Sequence, residues 1–239
     1  MPSGTCGSAG AVGWPSGCSA RSRRGSGGSS QASQRLETVA LAGGAALIVR
    51  GIVDRPTRDL DFFATTPEEV NRVLPPLEAL LTEDGLDVGR VQVADGFARL
   101  LVSFGAETTL VDLAWDARRF PTERTEAGAI LSDEELAADK LLALFGRAAA
   151  RDFVDVAALV SRYELEHLCT LAAEKDPGFD RTVLADMLRR LDRLPRADFD
   201  VDDAEFARLR ALVVGWRHQL EIQGPGRDAG KGTEPGLEL

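Results

Sequence analysis

The sequence predicts an α+β protein: a small mixed β-sheet core with flanking helices, followed by a helical C-terminal domain. Short β-like runs recur at Thr38–Ala42, Asp59–Phe63, Leu86–Val93, Phe97–Phe104 and Thr108–Trp115, several of them separated by glycine-containing turns. From Ser132 onward the apolar residues change to helical spacing. Both ends of the chain are rich in glycine and poor in large apolar residues, so they cannot bury enough surface to offset the entropy of ordering. The expected organisation is a disordered Gly/Ser-rich segment over 1–34, an α+β core over 35–130, a helical domain over 131–223 and a disordered tail over 224–239.

The elements follow in order. Thr38–Ala42 reads as a buried strand that runs into Gly43-Gly44 and then into a helix beginning Ala45-Ala46-Leu47-Ile48-Val49. A strand ending in a glycine pair at a helix start leaves backbone N–H groups where a phosphate can sit, although such a pair also serves as a plain turn. After the strand at Asp59–Phe63, Thr66-Pro67-Glu68-Glu69 has the form of a capped helix start. The helix that follows carries Val70, Val73, Leu74, Leu77, Leu80 and Leu81, and Pro75-Pro76 predicts a kink or a split within it. The turns at Ala94-Asp95-Gly96 and Gly105-Ala106-Glu107 suggest an antiparallel meander. Ser132-Asp133-Glu134-Glu135 opens a helix reaching about Arg147. Further helical segments are expected over 151–163, 165–175, 181–194 and 202–222.

Composition narrows the function classes. A chain of 239 residues with a net charge of −10 is not built for broad, non-specific nucleic-acid binding. Cys6, Cys18 and Cys169 are too scattered for a disulfide framework or a zinc site. No apolar run is long enough to span a bilayer, and the N-terminal segment lacks the apolar block of a secretory signal, so a reducing cytoplasm is the expected compartment.

The chemistry concentrates at Asp59-Leu60-Asp61-Phe62. Alternation along a strand puts Asp59 and Asp61 on one face, about 6.5–7 Å apart along the strand. At about 5 Å and an effective dielectric near 20, two carboxylates repel by roughly 3 kcal/mol, so a cation between them is expected. A divalent ion with oxygen ligands, most simply Mg²⁺ bridging to nucleotide phosphates, meets that need. A merely solvated strand face is the other reading. Val111-Asp112-Leu113 places a third acid between apolar residues of a later strand.

Taken together, the motifs resemble the AbiEii/AbiGii nucleotidyltransferase toxins of the DNA polymerase β-like superfamily. The resemblance spans about 38–160 and rests on Gly43-Gly44-Ala45-Ala46-Leu47, Arg55-Pro56-Thr57-Arg58-Asp59-Leu60-Asp61-Phe62, Val111-Asp112-Leu113, Lys140-Leu141-Leu142-Ala143-Leu144 and Arg151-Asp152-Phe153-Val154-Asp155. It implies transfer of a nucleoside monophosphate from an NTP to a macromolecular acceptor, either a tRNA 3′ end or a protein hydroxyl, by the toxin of a toxin–antitoxin or phage-defence pair. It further implies two Mg²⁺ ions on Asp59, Asp61 and Asp112, with Asp112 also a candidate base. Lys140 and Asp152 are its further catalytic candidates, and Gly43, Gly44, Arg55, Thr57, Arg58 and Lys140 its nucleotide contacts. A cognate antitoxin is an implied partner. Ala45 departs from the pattern, since relatives often carry Thr or Ser directly after the glycines. A catalytically weakened nucleotide- or partner-binding module of the same fold is therefore the alternative.

Blander roles stand beside several of these. Lys140 also reads as a solvated helix lysine, and Asp152 and Asp155 as surface partners of Arg147 and Arg151. The arginines from Arg181 to Arg196 read as a solvated helix face before an RNA-binding one.

Overall fold

The computed structural model describes residues 38–57, 59–125 and 128–223. The ends expected to be disordered, 1–34 and 224–239, and the candidate Arg58 lie outside the described residues. The strands are β1 (Ala40–Ala42), β2 (Asp59–Ala64), β3 (Asp87–Ala94), β4 (Phe97–Phe104), β5 (Glu107–Trp115), β6 (Thr122–Thr125) and β7 (Gly128–Leu131). The helices are α1 (Gly43–Val49), α2 (Pro67–Glu83), α3 (Asp133–Gly146), α4 (Ala150–Val160), α5 (Leu165–Lys175), α6 (Arg181–Leu188) and α7 (Asp203–Gln223). The expected helix over 181–194 is α6 continued by a 3₁₀ turn at Arg189–Arg193.

All seven strands join one mixed sheet in the order β3-β4-β5-β2-β1-β7-β6. The β3–β4–β5 meander is antiparallel, as the turns predict. Strand β5 then runs parallel to β2, β2 antiparallel to β1, and β1 parallel to β7. The β6–β7 hairpin extends the sheet beyond the strands read from sequence.

Two apolar cores hold these layers. Helix α2 lays Val70, Val73 and Leu74 on one face of the meander, against Ala98, Leu100, Val102, Val111 and Leu113. The second core joins β1, α1 and β7 to the helical half, with Phe153, Leu168, Leu184 and Trp216 among its members. The apolar surface left by the short β1 and β7 is thus buried by the helices that follow them in sequence.

Helix α2 is not split, which corrects that half of the expectation: it is one helix of 17 residues with Pro75 and Pro76 inside it. The prolines deprive the carbonyls of Asn71 and Arg72 of helical partners. Both of those residues are exposed, so water can satisfy the carbonyls, while Val73 and Leu74 stay packed on the sheet. The N-cap is as read, with the Glu69 N–H donating to Thr66 Oγ1 at 3.2 Å.

Candidate active site

The face of the sheet opposite α2 carries the acids. Leu60 and Phe62 pack toward α2, so strand alternation turns Asp59 and Asp61 the other way. Strands β2 and β5 run parallel with Asp61 directly opposite Asp112, which sets the third carboxylate on the same face one strand spacing away, about 4.8 Å between backbones. Burial pushes the Asp61 carboxyl above its ordinary value and Asp59 raises it further, with a smaller contribution from Asp112, whereas Lys140 and Arg151 act to lower it. The three acids therefore share one electrostatic environment.

The glycine pair borders this cluster. Gly43 follows β1, whose Ala42 pairs with Asp61, and adopts a left-handed φ of +61°. A Cβ there would lie 1.8 Å from Asp61 Oδ2, so both the backbone conformation and the space require glycine. At Gly44 a Cβ would meet Arg55 Nη2 at 3.2 Å and Thr57 Oγ1 at 3.3 Å. Thr57 Oγ1 in turn donates to Asp59 Oδ1 at 2.9 Å. Gly43, Gly44, Arg55, Thr57, Asp59 and Asp61 thus adjoin one another, with Gly44 itself buried. Ala45 is fully buried as well.

The helical half contributes cations, anchored on Asp155. Arg55 reaches across the structure to Asp155, Nε to Oδ1 at 3.0 Å and Nη2 to Oδ2 at 2.9 Å, and Lys140 Nζ lies 2.9 Å from Oδ2. Asp155 is fully buried and Lys140 is 8% exposed. This corrects the surface readings: Lys140 is no solvated helix lysine, and Asp155 pairs with Arg55 and Lys140 rather than with Arg151. Arg151 instead approaches Asp59, 3.5 Å from its Oδ2.

Asp152 is fully buried at the start of α4 and engaged on both oxygens. Arg147 donates Nε to Oδ2 at 2.9 Å and Nη2 to Oδ1 at 2.8 Å, and the Ala149 N–H donates to Oδ2 at 3.0 Å. These bonds brace the α3–α4 junction, where Ala148 takes a left-handed φ of 45°.

Two groups were not singled out from sequence. Arg99, on β4, forks onto the third acid, Nε to Asp112 Oδ1 at 2.7 Å and Nη2 to Oδ2 at 2.5 Å. A separate set of acids, Asp116, Glu135 and Asp139, is close enough together to share a cation. Lys175 already supplies one: its Nζ donates to Asp116 and Glu135 at 2.6 Å each, and to Asp139. Burial drives the Asp139 carboxyl up to about 7 against the opposing pull of Lys175.

The chain matches, over residues 30–220, the model of the nucleotidyl transferase AbiEii toxin of type IV toxin–antitoxin systems. It belongs to the AbiEii nucleotidyltransferase toxin family. The match includes the acid strands, the glycine pair and most of the helical half. Among solved structures, a candidate nucleotidyltransferase from H. pylori has a TM-score of 0.50 at 20% identity, covering 82% of this chain and 95% of that one. JHP933 from Helicobacter pylori has a TM-score of 0.49 at 22% identity, covering 81% and 91% respectively. The first of these supports the α+β fold. A search of curated proteins finds no match. Among the described residues, no helix of this AbiEii nucleotidyltransferase is long and apolar enough to cross a membrane.

Asp59 and Asp61 at alternate positions of β2, with Asp112 opposite Asp61 on β5, offer oxygen donors of the kind a hard divalent cation takes. Among the described residues, the three acids whose oxygens all lie within 4.8 Å of one another are Asp116, Glu135 and Asp139. In that set the Lys175 ammonium already stands among the carboxylates, as the Arg99 guanidinium does at Asp112.

Proposed function

We propose that this AbiEii protein transfers a nucleoside monophosphate from an NTP to a macromolecular acceptor, a tRNA 3′ end or a protein hydroxyl, with Mg²⁺ held by Asp59, Asp61 and Asp112. The observation that carries the reading is the placement of Asp61 opposite Asp112, on a sheet face bordered by Gly43 and by the Asp155-anchored Arg55 and Lys140. Bound divalent ions would neutralise the charge that grows on the entering and leaving oxygens.

The chain's own residues do the rest. The Gly43-Gly44 backbone lets the triphosphate approach closely, and Arg55 and Lys140 meet its charge from positions fixed by Asp155. Thr57 holds Asp59 in place. The acceptor hydroxyl oxygen bonds to the α-phosphorus as the bond to pyrophosphate breaks, and Asp112 takes the hydroxyl proton. Asp152 acts at one remove, by orienting Arg147. In its cell the protein would be the toxin of a toxin–antitoxin or phage-defence pair, restrained by a cognate antitoxin.

Ala45 supports a second reading, a nucleotide- or partner-binding module with weakened turnover, because it offers no hydroxyl at the glycine turn. Incubation with each labelled NTP, Mg²⁺, and total RNA or protein extract separates the two. Label appearing in RNA or protein supports the transferase and identifies the acceptor class. NTP that binds but is never consumed supports the module.

A further inference from the structure

We propose that Arg99 is a built-in counter-ion that holds Asp112 in the metal-free protein and must release it when a divalent cation is loaded. The inference rests on the reading of Asp59, Asp61 and Asp112 as the metal-holding acids, and it concerns how that site is kept between turnovers.

Three observations lead to it. Arg99 and Asp112 are direct cross-strand partners on β4 and β5, so their backbones fix the encounter. The guanidinium engages both Asp112 oxygens in a fork at 2.7 and 2.5 Å, the geometry of a strong charge-assisted pair. Asp59, by contrast, receives only a 3.5 Å approach from Arg151 together with the hydroxyl of Thr57. The acid least free to bind a cation is thus Asp112.

The same geometry provides for release. The Arg99 side chain is 40% exposed, against 11% for Asp112. The carboxylate stays in place while the long side chain has water to move into. The Phe97 ring stands on the same strand face, with its centroid 5.8 Å from the guanidinium carbon, and offers a cation–π contact that does not depend on Asp112. A divalent ion on Asp112 would sit beside a guanidinium of like sign, so loading and pairing oppose each other. In the unloaded state the fork relieves the repulsion among three neighbouring acids. In the loaded state the metal takes over that task and Arg99 is freed on the open face of the sheet.

The test is titration of the full-length protein with Mn²⁺ alone, and again with a non-hydrolysable NTP analogue, following the paramagnetic signal of the free ion. Arg99→Gln is expected to bind Mn²⁺ about tenfold tighter than the parent, equivalent to about 1.4 kcal/mol. Arg99→Lys keeps the charge but loses the fork, and should fall between the two. The gain should vanish in an Asp112→Asn background, where Arg99→Gln adds nothing. A thermal melt of each variant establishes that it is folded, and Arg99→Lys carries the test if Arg99→Gln is not. Equal affinity of the folded Arg99 variants and the parent would overturn the inference, as would a gain that persists without the Asp112 carboxylate. Either result leaves the metal site itself standing. If neither parent nor variants hold Mn²⁺ with or without nucleotide, the site reading fails, and this inference with it.

Discussion

A single missing methyl group at Gly43 decides whether Asp61 can stand where it does. An alanine Cβ would fall 1.8 Å from the carboxylate oxygen, on a backbone whose φ of +61° already disfavours it. Gly43→Ala is expected to lower transfer by about 10²-fold, the usual cost of displacing a reacting group by about an ångström. The left-handed backbone adds a stability cost of about 1–2 kcal/mol, seen as a melting point lower by about 2–4 °C per kcal/mol. Parental activity in a folded Gly43→Ala protein would detach the glycine from the acid. The acid pair was legible at this scale because strand alternation is a property of sequence. Arg99 was not singled out, although its signal was present. The two-residue turn at Gly105-Ala106 pairs Phe104 with Glu107, and that register brings Arg99 opposite Asp112. Asp155 ends the motif Arg151-Asp152-Phe153-Val154-Asp155, but its partner Arg55 is 100 residues away, and no local pattern shows such a pairing.

Among the elements, α4 matters chiefly for what Asp155 ties to it. That carboxylate joins Arg55, in the segment before β2, to Lys140 on α3. Asp155→Asn removes the buried charge that balances two cations. It is expected to cost about 3 kcal/mol, the low end for a broken buried pair because Arg55 remains partly in water. The melting point should fall by about 6–12 °C at about 2–4 °C per kcal/mol, and NTP affinity should fall with it. An unchanged melt would mean that the two cations hold their places without Asp155. Most elements were legible from capping residues and apolar spacing. The exceptions show what decides such cases. Helix α2 survives two prolines because its sheet-facing residues are packed and the carbonyls that lose their partners belong to exposed residues. The β6–β7 hairpin was not legible because Thr-Glu-Arg-Thr has no apolar face and β7 is a four-residue strand held between β6 and β1. Among the arginines after Arg181, Arg189 is exposed and pairs with Glu221, whereas Arg196 is half-buried, donating to the carbonyls of Phe199 and Val201 and pairing with Asp203.

Across the whole molecule, the sheet and the helical half are joined by the Lys175 cluster as well as by the shared core. Lys175 on α5 gathers Asp116 from beyond β5 with Glu135 and Asp139 from α3, and Glu135 also accepts the N–H groups of Arg119 and Phe120. Asp139 keeps its proton to about pH 7 in the fold, against 3.8 for the unfolded group, so the folded state binds the extra proton between those values. Stability must then fall as pH rises through that window. Asp139→Asn cannot ionise, so its melting point should gain on the parent's by several degrees between pH 5 and pH 8, at about 2–4 °C per kcal/mol. A difference that does not change with pH would show that Asp139 is ionised throughout. The division into sheet and helical halves was readable from the change of periodicity at Ser132. The ion cluster that fastens them was not, because it draws on three segments distant in sequence.

The central claim is that the carboxylates on β2 and β5 perform the transfer, and Asp61→Ala tests it most directly. Its rate of transfer of labelled nucleotide to the acceptor, set beside its thermal melt, separates catalysis from folding. Removing one of three crowded acids relieves repulsion, so the melt should be no lower than the parent's, while transfer falls by about 10²–10³-fold. A folded Asp61→Ala protein that transfers nucleotide at the parental rate would contradict the account.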